Sequence, residues 1–193
     1  MVSSTRTSGT SGPARLVVGL TGPNAAGKGE AARYLVSRGF VYHSLSDILR
    51  EEVAARGLPP TREHLIEMGN LIRREWGAAI LAERTLPRLS GRDVIDSIRN
   101  PAEVTALRRE PSFVLMAVDA PIDLRFARAR SRSRPGDGDT LHEFRVREER
   151  ERGSDPVSQQ IHLTFSMADV TVSNAGTIAE LEREIAAALA GRL

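Results

Sequence analysis

Residues 15–35 read RLVVGLTGPNAAGKGEAARYL. An apolar run ends near a glycine, a loop of small residues follows, and a stretch of helical composition continues to the residue before Gly39. The run 15–20 suits a buried strand of a parallel sheet, and Gly39 suits a helix stop. Between them, Gly22-Pro-Asn-Ala-Ala-Gly27-Lys28 fits the spacing G-x-x-x-x-G-K in the strand–loop–helix setting that this motif requires. Small residues let main-chain N–H groups turn inward around phosphate oxygens, and the start of the helix adds its partial positive charge. The residues expected to line the phosphates are Gly22, Asn24, Ala25, Ala26, Gly27, Lys28, Gly29 and Glu30.

Lys28 is the only lysine in a chain with 27 basic residues, the others being arginine. A compact ammonium fits between the outer two phosphates of a triphosphate, where a planar guanidinium is too wide. A single lysine also excludes two nucleotide-binding classes. The N-K-x-D base motif of GTPases needs a second lysine, and a protein kinase needs one outside its glycine loop. The Ser or Thr that ordinarily follows the motif lysine and binds Mg²⁺ is Gly29 here, and Glu30 comes next. A carboxylate at that point must reach Mg²⁺, directly or through water, or turn away from the phosphates.

The 193 residues are enough for one substantial core, and 40% hydrophobic with 27% charged residues is the composition of an ordinary globular domain. A net charge of +2 favours neither nucleic acid nor membrane as a partner, and the pI of about 9.6 reflects the high pKa of arginine. A GC-rich genome is the plain account of the arginine bias. The absence of cysteine excludes disulfides, thiolate catalysis and cysteine metal sites. His43, His64, His142 and His162 lack metal-ligand spacing. No apolar run approaches the roughly 20 residues of a spanning helix. Residues 1–14, rich in Ser, Thr and Gly, read as a disordered tail without the apolar middle of a secretory signal, so the expected location is cytoplasmic.

Further strands are expected at 40–44, 93–97, 112–120 and 168–174, and helices at 45–56, 61–75, 78–88, 101–109, from Pro121, at 140–152 and from Thr177. Thr61 is an expected N-cap, with His64 where a capping box would place Glu or Gln. Strand–helix alternation of this kind predicts a doubly wound α/β fold, here a three-layer P-loop NTPase fold with a central parallel sheet.

With these motifs in this order, residues 15–190 resemble the small-molecule P-loop kinases, a group that includes adenylate kinase and dephospho-CoA kinase. The resemblance implies one kinase domain over 15–193, with a helical acceptor-binding region at about 45–90 and an arginine-rich lid at about 131–155. HSLSDILR (43–50) is similar to the segment that opens the acceptor region, which places Asp47 and Arg50 at the acceptor phosphate. An i, i+3 acid–base pair on a surface helix is the plain alternative. Leu45 stands where adenylate kinases have threonine. VIDSIRNPAEV (94–104) is similar to the strand that ends in the family's second carboxylate, which implies Asp96 near Mg²⁺ and Arg99 on the acceptor. VDAPIDLRFARARSRSR (118–134) resembles the strand and helix leading to the lid. Arg128 and Arg132, four apart on one helical face, then contact the donor phosphates, unless they belong to a solvated arginine-rich helix. Arg147 is the candidate for a second phosphate contact on the lid's return helix. VSNAGT (172–177) resembles the loop lying against the donor adenine in dephospho-CoA kinases, so Asn174 and Gly176 are adenine-site candidates acting largely through backbone. Thr177 is also a plain helix cap there.

The function so implied is transfer of the γ-phosphate of ATP, with Mg²⁺, to a small phosphorylated acceptor, most readily a nucleoside or deoxynucleoside monophosphate. The alternatives are phosphorylation of a hydroxyl, as in dephospho-CoA kinase, and a regulatory protein that binds ATP without turnover. Nucleic acid is not an expected partner, because aromatic stacking residues are nearly absent from the arginine-rich segment.

Overall fold

The computed structural model describes residues 15–132, 140–150 and 159–193. The expected tail 1–14 and the outer parts of the expected lid, 133–139 and 151–155, lie outside the described residues. The chain opens with β1 (Leu16–Thr21), α1 (Lys28–Ser37), β2 (Val41–Ser44) and α2 (Leu45–Ala55). It continues through α3 (Arg62–Trp76), α4 (Ile80–Thr85), β3 (Arg92–Asp96), α5 (Pro101–Leu107) and β4 (Phe113–Asp119). The remaining elements are α6 (Ile122–Arg132), α7 (Leu141–Arg150), α8 (Ile161–Ser166), β5 (Val170–Ser173) and α9 (Ile178–Ala188).

The five strands form one parallel sheet in the order β2-β3-β1-β4-β5. All six residues of β1 are buried, because helices cover both faces of the sheet at its centre. Alternation along the strand divides the core in two. Leu16, Val18 and Leu20 pack with Ala31 and Leu35 of α1 and Leu181 and Ile185 of α9. Val17 faces the other way, with Ile95 and Leu115, against Ile48 and Val53 of α2, Met68 and Ile72 of α3, and Val104 of α5. The fold is thus the expected three-layer α/β arrangement. The order of strands reverses at β1, and ligands of open parallel sheets bind beyond the C-terminal strand ends at such a point.

Side-chain caps set the starts of three helices. The Thr61 hydroxyl caps α3 by accepting from His64 N, and no reciprocal box forms there. Asn100 with Glu103 and Thr177 with Glu180 form complete capping boxes on α5 and α9. The helix expected over 78–88 is shorter than predicted. It runs as α4 and then tightens into a 3-10 turn at 86–88, where Pro87 has no N–H to continue the helical bonding. Helix α8 was not expected, since six residues with Thr164 alone fully buried carry no readable period.

Two buried charge clusters brace the sheet. The Asp93 carboxylate is fully buried and accepts from Ser90 N, Gly91 N (2.6 Å), the Ser90 hydroxyl and His43 Nε2 (2.9 Å). Burial alone would raise its pKa, but these donors outweigh burial and hold it below the usual carboxylate value. Arg73 of α3 reaches Glu103 of α5 at 2.9 Å in the interior. The other oxygen of Glu103 accepts from Arg99 N (2.9 Å) and Asn100 N (3.1 Å), which fixes the turn after β3.

Candidate nucleotide-binding site

The loop after β1 takes its shape from glycines that nothing else can replace. Gly22 lies at φ 135°, and a Cβ there would stand 2.1 Å from the Val118 carbonyl oxygen of β4. Ala25 occupies the left-handed region at φ 59°, and Ala26 N donates to Pro23 O at 3.3 Å to close a turn. Gly27, at φ 107°, starts α1 by accepting from Glu30 N and Ala31 N, and it carries no side-chain cap. The first turn of α1 therefore offers its amides to a ligand, as helix N-termini do for phosphate.

Lys28 folds back over this loop. Its Nζ donates to Gly22 O (2.8 Å) and Pro23 O (2.9 Å). The residue as a whole is half-buried, but its ammonium end is withdrawn from water. Burial, followed by the positive charge of Arg99, lowers its pKa to about 8. Asp96 opposes the shift, while Arg132 and Arg125 add to it. These shifts mark which charged groups converge on the loop. Arg99 gives one guanidinium nitrogen to Gln159 at 2.8 Å. Asp96 ends β3 and accepts from Ser97 N (2.6 Å) and the Tyr42 hydroxyl (3.3 Å). Ser97 is in the left-handed region at φ 67°, and its hydroxyl clusters with those of Ser44 and Ser46.

The arginines of α6 approach from the opposite side. Arg132 donates to the Asn24 side chain at 3.3 Å, and Arg128 to the Asn174 side chain at 3.4 Å. The second terminal nitrogen of Arg128 is buried without a hydrogen-bond partner. Arg125, a residue that sequence reasoning missed, is only 7% exposed and donates to Ala120 O (2.9 Å) and Asn24 O (3.3 Å). It also forms a two-pronged ion pair with Glu148 of α7, whose longer arm is 3.1 Å. Ala129 and Phe144 pack with Ala25 of the loop, so α6 and α7 rest directly on the phosphate cradle. In a run with an arginine at nearly every second position, no sequence signal separates Arg125 from its neighbours.

The remaining expected residues are more dispersed. Asp47 and Arg50 of α2 pair with each other, both about half exposed. Asp47 stands near enough to Tyr42 for its charge to reach the phenol. Arg147 is half-buried on α7, one position before Glu148. Asn174 is buried behind the loop, and a Cβ on Gly176 would stand 2.1 Å from the Glu180 carboxylate of the α9 capping box. Glu30 turns to the outside of α1 and pairs with Arg33. At Gly29 a Cβ would meet nothing within 4 Å, so a Ser or Thr side chain would fit there.

Strand order, loop and helix together define a P-loop α/β protein, in which a glycine cradle at the end of the first strand faces a set of arginines. Comparison with known proteins agrees. The family model described as "AAA domain" matches residues 21–145. A UPF0200 protein of Hyperthermus butylicus is 34% identical over 178 residues, covering 90% of this chain and 93% of its own. The chain belongs to the AAA domain family and to the UPF0200 proteins. Among solved structures, a shikimate kinase from Bacteroides thetaiotaomicron superposes with a TM-score of 0.60 at 14% identity, over 91% of this chain and 97% of that one. A gluconokinase from Sinorhizobium meliloti gives 0.56 at 17% identity, over 92% and 93%. At such identity these neighbours show the fold alone, a three-layer α/β P-loop fold shared with this chain. Among the described residues, no helix is long and apolar enough to cross a membrane.

Proposed function

We propose that the protein transfers the γ-phosphate of ATP to a small acceptor that already carries a phosphate, most readily a nucleoside or deoxynucleoside monophosphate. The observation that carries this reading is that Arg125 and Arg132 both reach Asn24 of the glycine loop at 3.3 Å, over which the Lys28 ammonium also folds, with Arg99 and Asp96 close enough for their charges to act on it. Phosphoryl transfer spreads negative charge over the moving group, and fixed cations neutralise it without a covalent intermediate. In this reading Lys28 leaves the carbonyls of Gly22 and Pro23 for the outer phosphates. Arg128 and Arg132 hold the donor from the α6 side. Arg99, Asp47 and Arg50 orient the acceptor, and Arg147 adds a contact from α7. The backbone of 174–176 is the proposed wall for the adenine. An acceptor phosphate is already ionised at neutral pH, so no general base is required.

Mg²⁺, where bound, would neutralise charge between the outer phosphates. Gly29 has no side-chain ligand and Glu30 is engaged by Arg33, and Asp96 at the end of β3 is the carboxylate that would hold the ion through water. Among the described residues no group of three or more His, Asp or Glu side chains gathers for a metal. One carboxylate plus phosphates and waters is a coordination that Mg²⁺ accepts.

Two tests follow from the charges. With a Lys28 pKa of about 8, the ammonium is half protonated at pH 8, and a bound triphosphate raises that pKa. ATP binding is expected to take up about half a proton at pH 8 and progressively less as the pH falls toward 7, read by calorimetry in buffers of different ionisation enthalpy. Lys28→Met should abolish the uptake. Arg50→Ala should raise the acceptor KM by about 10-fold or more and leave the ATP KM within about 2-fold. Equal effects on both would remove Arg50 from the acceptor site.

A second reading draws on the hydroxyl cluster of Ser44, Ser46 and Ser97 beside Asp96. Such a surface also suits an acceptor hydroxyl, with Asp47 as the base. ATP consumption across a panel of nucleoside monophosphates, with dephospho-CoA alongside, separates the readings. ATP binding with no turnover on any acceptor would leave a regulatory ATP-binding protein.

A further inference from the structure

Asn174 follows β5, yet its residue is only 4% exposed. Every polar group of its amide is used. Nδ2 donates to Ala26 O at 2.8 Å, and Oδ1 accepts from Arg128 Nη2 at 3.4 Å. Its backbone N donates to Asp119 O at 2.7 Å, which anchors the residue to the end of β4. A Cβ on Gly27 would stand 1.9 Å from Asn174 Nδ2, so the amide fills the space a side chain at 27 would need.

The consequence lies in the Ala26–Gly27 peptide. A trans peptide is planar, and its C=O and N–H point in opposite directions. Asn174 holds the Ala26 carbonyl outward, behind the loop. The Gly27 N–H is thereby turned into the cradle, where a phosphate oxygen would lie. The same amide ties Arg128 to that peptide, while the other terminal nitrogen of Arg128 is buried with no partner and remains a donor for an anion.

We infer that Asn174 is a positioning residue of the phosphate loop: its side chain fixes the Ala26–Gly27 peptide and Arg128 for a polyphosphate, and it takes no part in reading the base. This rests on the phosphate-binding reading of the loop. It gives the side chain a task distinct from the adenine wall assigned to the backbone of 174–176.

The test uses the full chain as wild type, Asn174→Ala and Asn174→Asp. The aspartate keeps the size and the acceptor for Arg128 but sets an oxygen against the Ala26 carbonyl. Calorimetric titration with ATP, GTP and inorganic tripolyphosphate is paired with amide hydrogen exchange on the ligand-free protein. Both variants are expected to weaken ATP and tripolyphosphate by the same factor, about 10- to 100-fold. Exchange should rise across 24–28 and stay at the wild-type rate in β4 and α9. If the alanine variant does not fold, the aspartate variant decides. Weakened ATP with unchanged tripolyphosphate would overturn the inference and make Asn174 a base-reading residue. Unchanged binding of both, or exchange that rises through the whole domain, would overturn it in favour of plain packing. Wild-type protein that binds neither ATP nor tripolyphosphate would overturn the phosphate reading of the loop itself, and this inference with it.

Discussion

Lys28→Arg is expected to lower kcat/KM by at least about 100-fold, the same order as Lys28→Ala, because removing one preorganised electrostatic donor costs about that much. At pH 7, where a lysine with a pKa of about 8 is mostly protonated and an arginine fully so, shape is what separates the two residues. The Lys28 ammonium sits at 2.8 and 2.9 Å from the carbonyls of Gly22 and Pro23, folded back over the loop that would carry the phosphates. A guanidinium is planar and several ångströms wide, and its five donors are set in a rigid fork. It cannot occupy that space without pushing apart the turn in which Ala25 already holds a left-handed conformation. Steady-state kinetics with saturating ATP test this directly. An arginine variant with near-normal turnover would show that charge alone is needed and would leave the lone lysine unexplained.

Gly22→Ala should be among the most damaging methyl additions at the glycines of the described residues. The new Cβ would lie 2.1 Å from the Val118 carbonyl oxygen, which belongs to the backbone of a central strand and cannot swing aside. A φ of 135° adds strain for any residue with a Cβ. The expected loss is about 2–4 kcal/mol of unfolding free energy, accompanied by loss of ATP binding. Gly29→Ala is the matching control, because its Cβ meets nothing within 4 Å and the residue lies within α1. Its stability should be unchanged or raised by up to about 1 kcal/mol. Denaturant titration of the two variants reads the contrast. Equal stabilities would mean that the loop is not pressed against β4 as described.

What could be read in the sequence was whatever depends on short-range pattern. The apolar runs 15–20 and 112–120 became the central strand β1 and its interior neighbour β4, since a strand buried on both faces needs a continuous apolar stretch. The phosphate loop was legible because its glycines, its lysine and its flanking elements are neighbours in the chain. Groups that meet only through the fold were not. Arg125 looks like any arginine of α6 until Glu148, from α7, comes to meet it. The serine cluster brings Ser44 and Ser46, at the junction of β2 and α2, to Ser97, 53 positions beyond Ser44. Asn174 was visible as a loop residue, but its contact with Ala26 spans 148 positions and depends on β5 lying two strands away from β1. Glu30 was legible as an anomaly whose direction was open, and the pairing with Arg33 resolves it outward, away from the phosphates.

The account depends most on residues 22–28 enclosing a triphosphate, and a crystal structure with a non-hydrolysable ATP analogue tests that most directly. The expected result is a triphosphate bound by the amides around Gly27, with the Lys28 ammonium moved from the carbonyls of Gly22 and Pro23 to the outer phosphates. A nucleotide bound elsewhere on the sheet, or Lys28 still held by those two carbonyls with the ligand present, would contradict it.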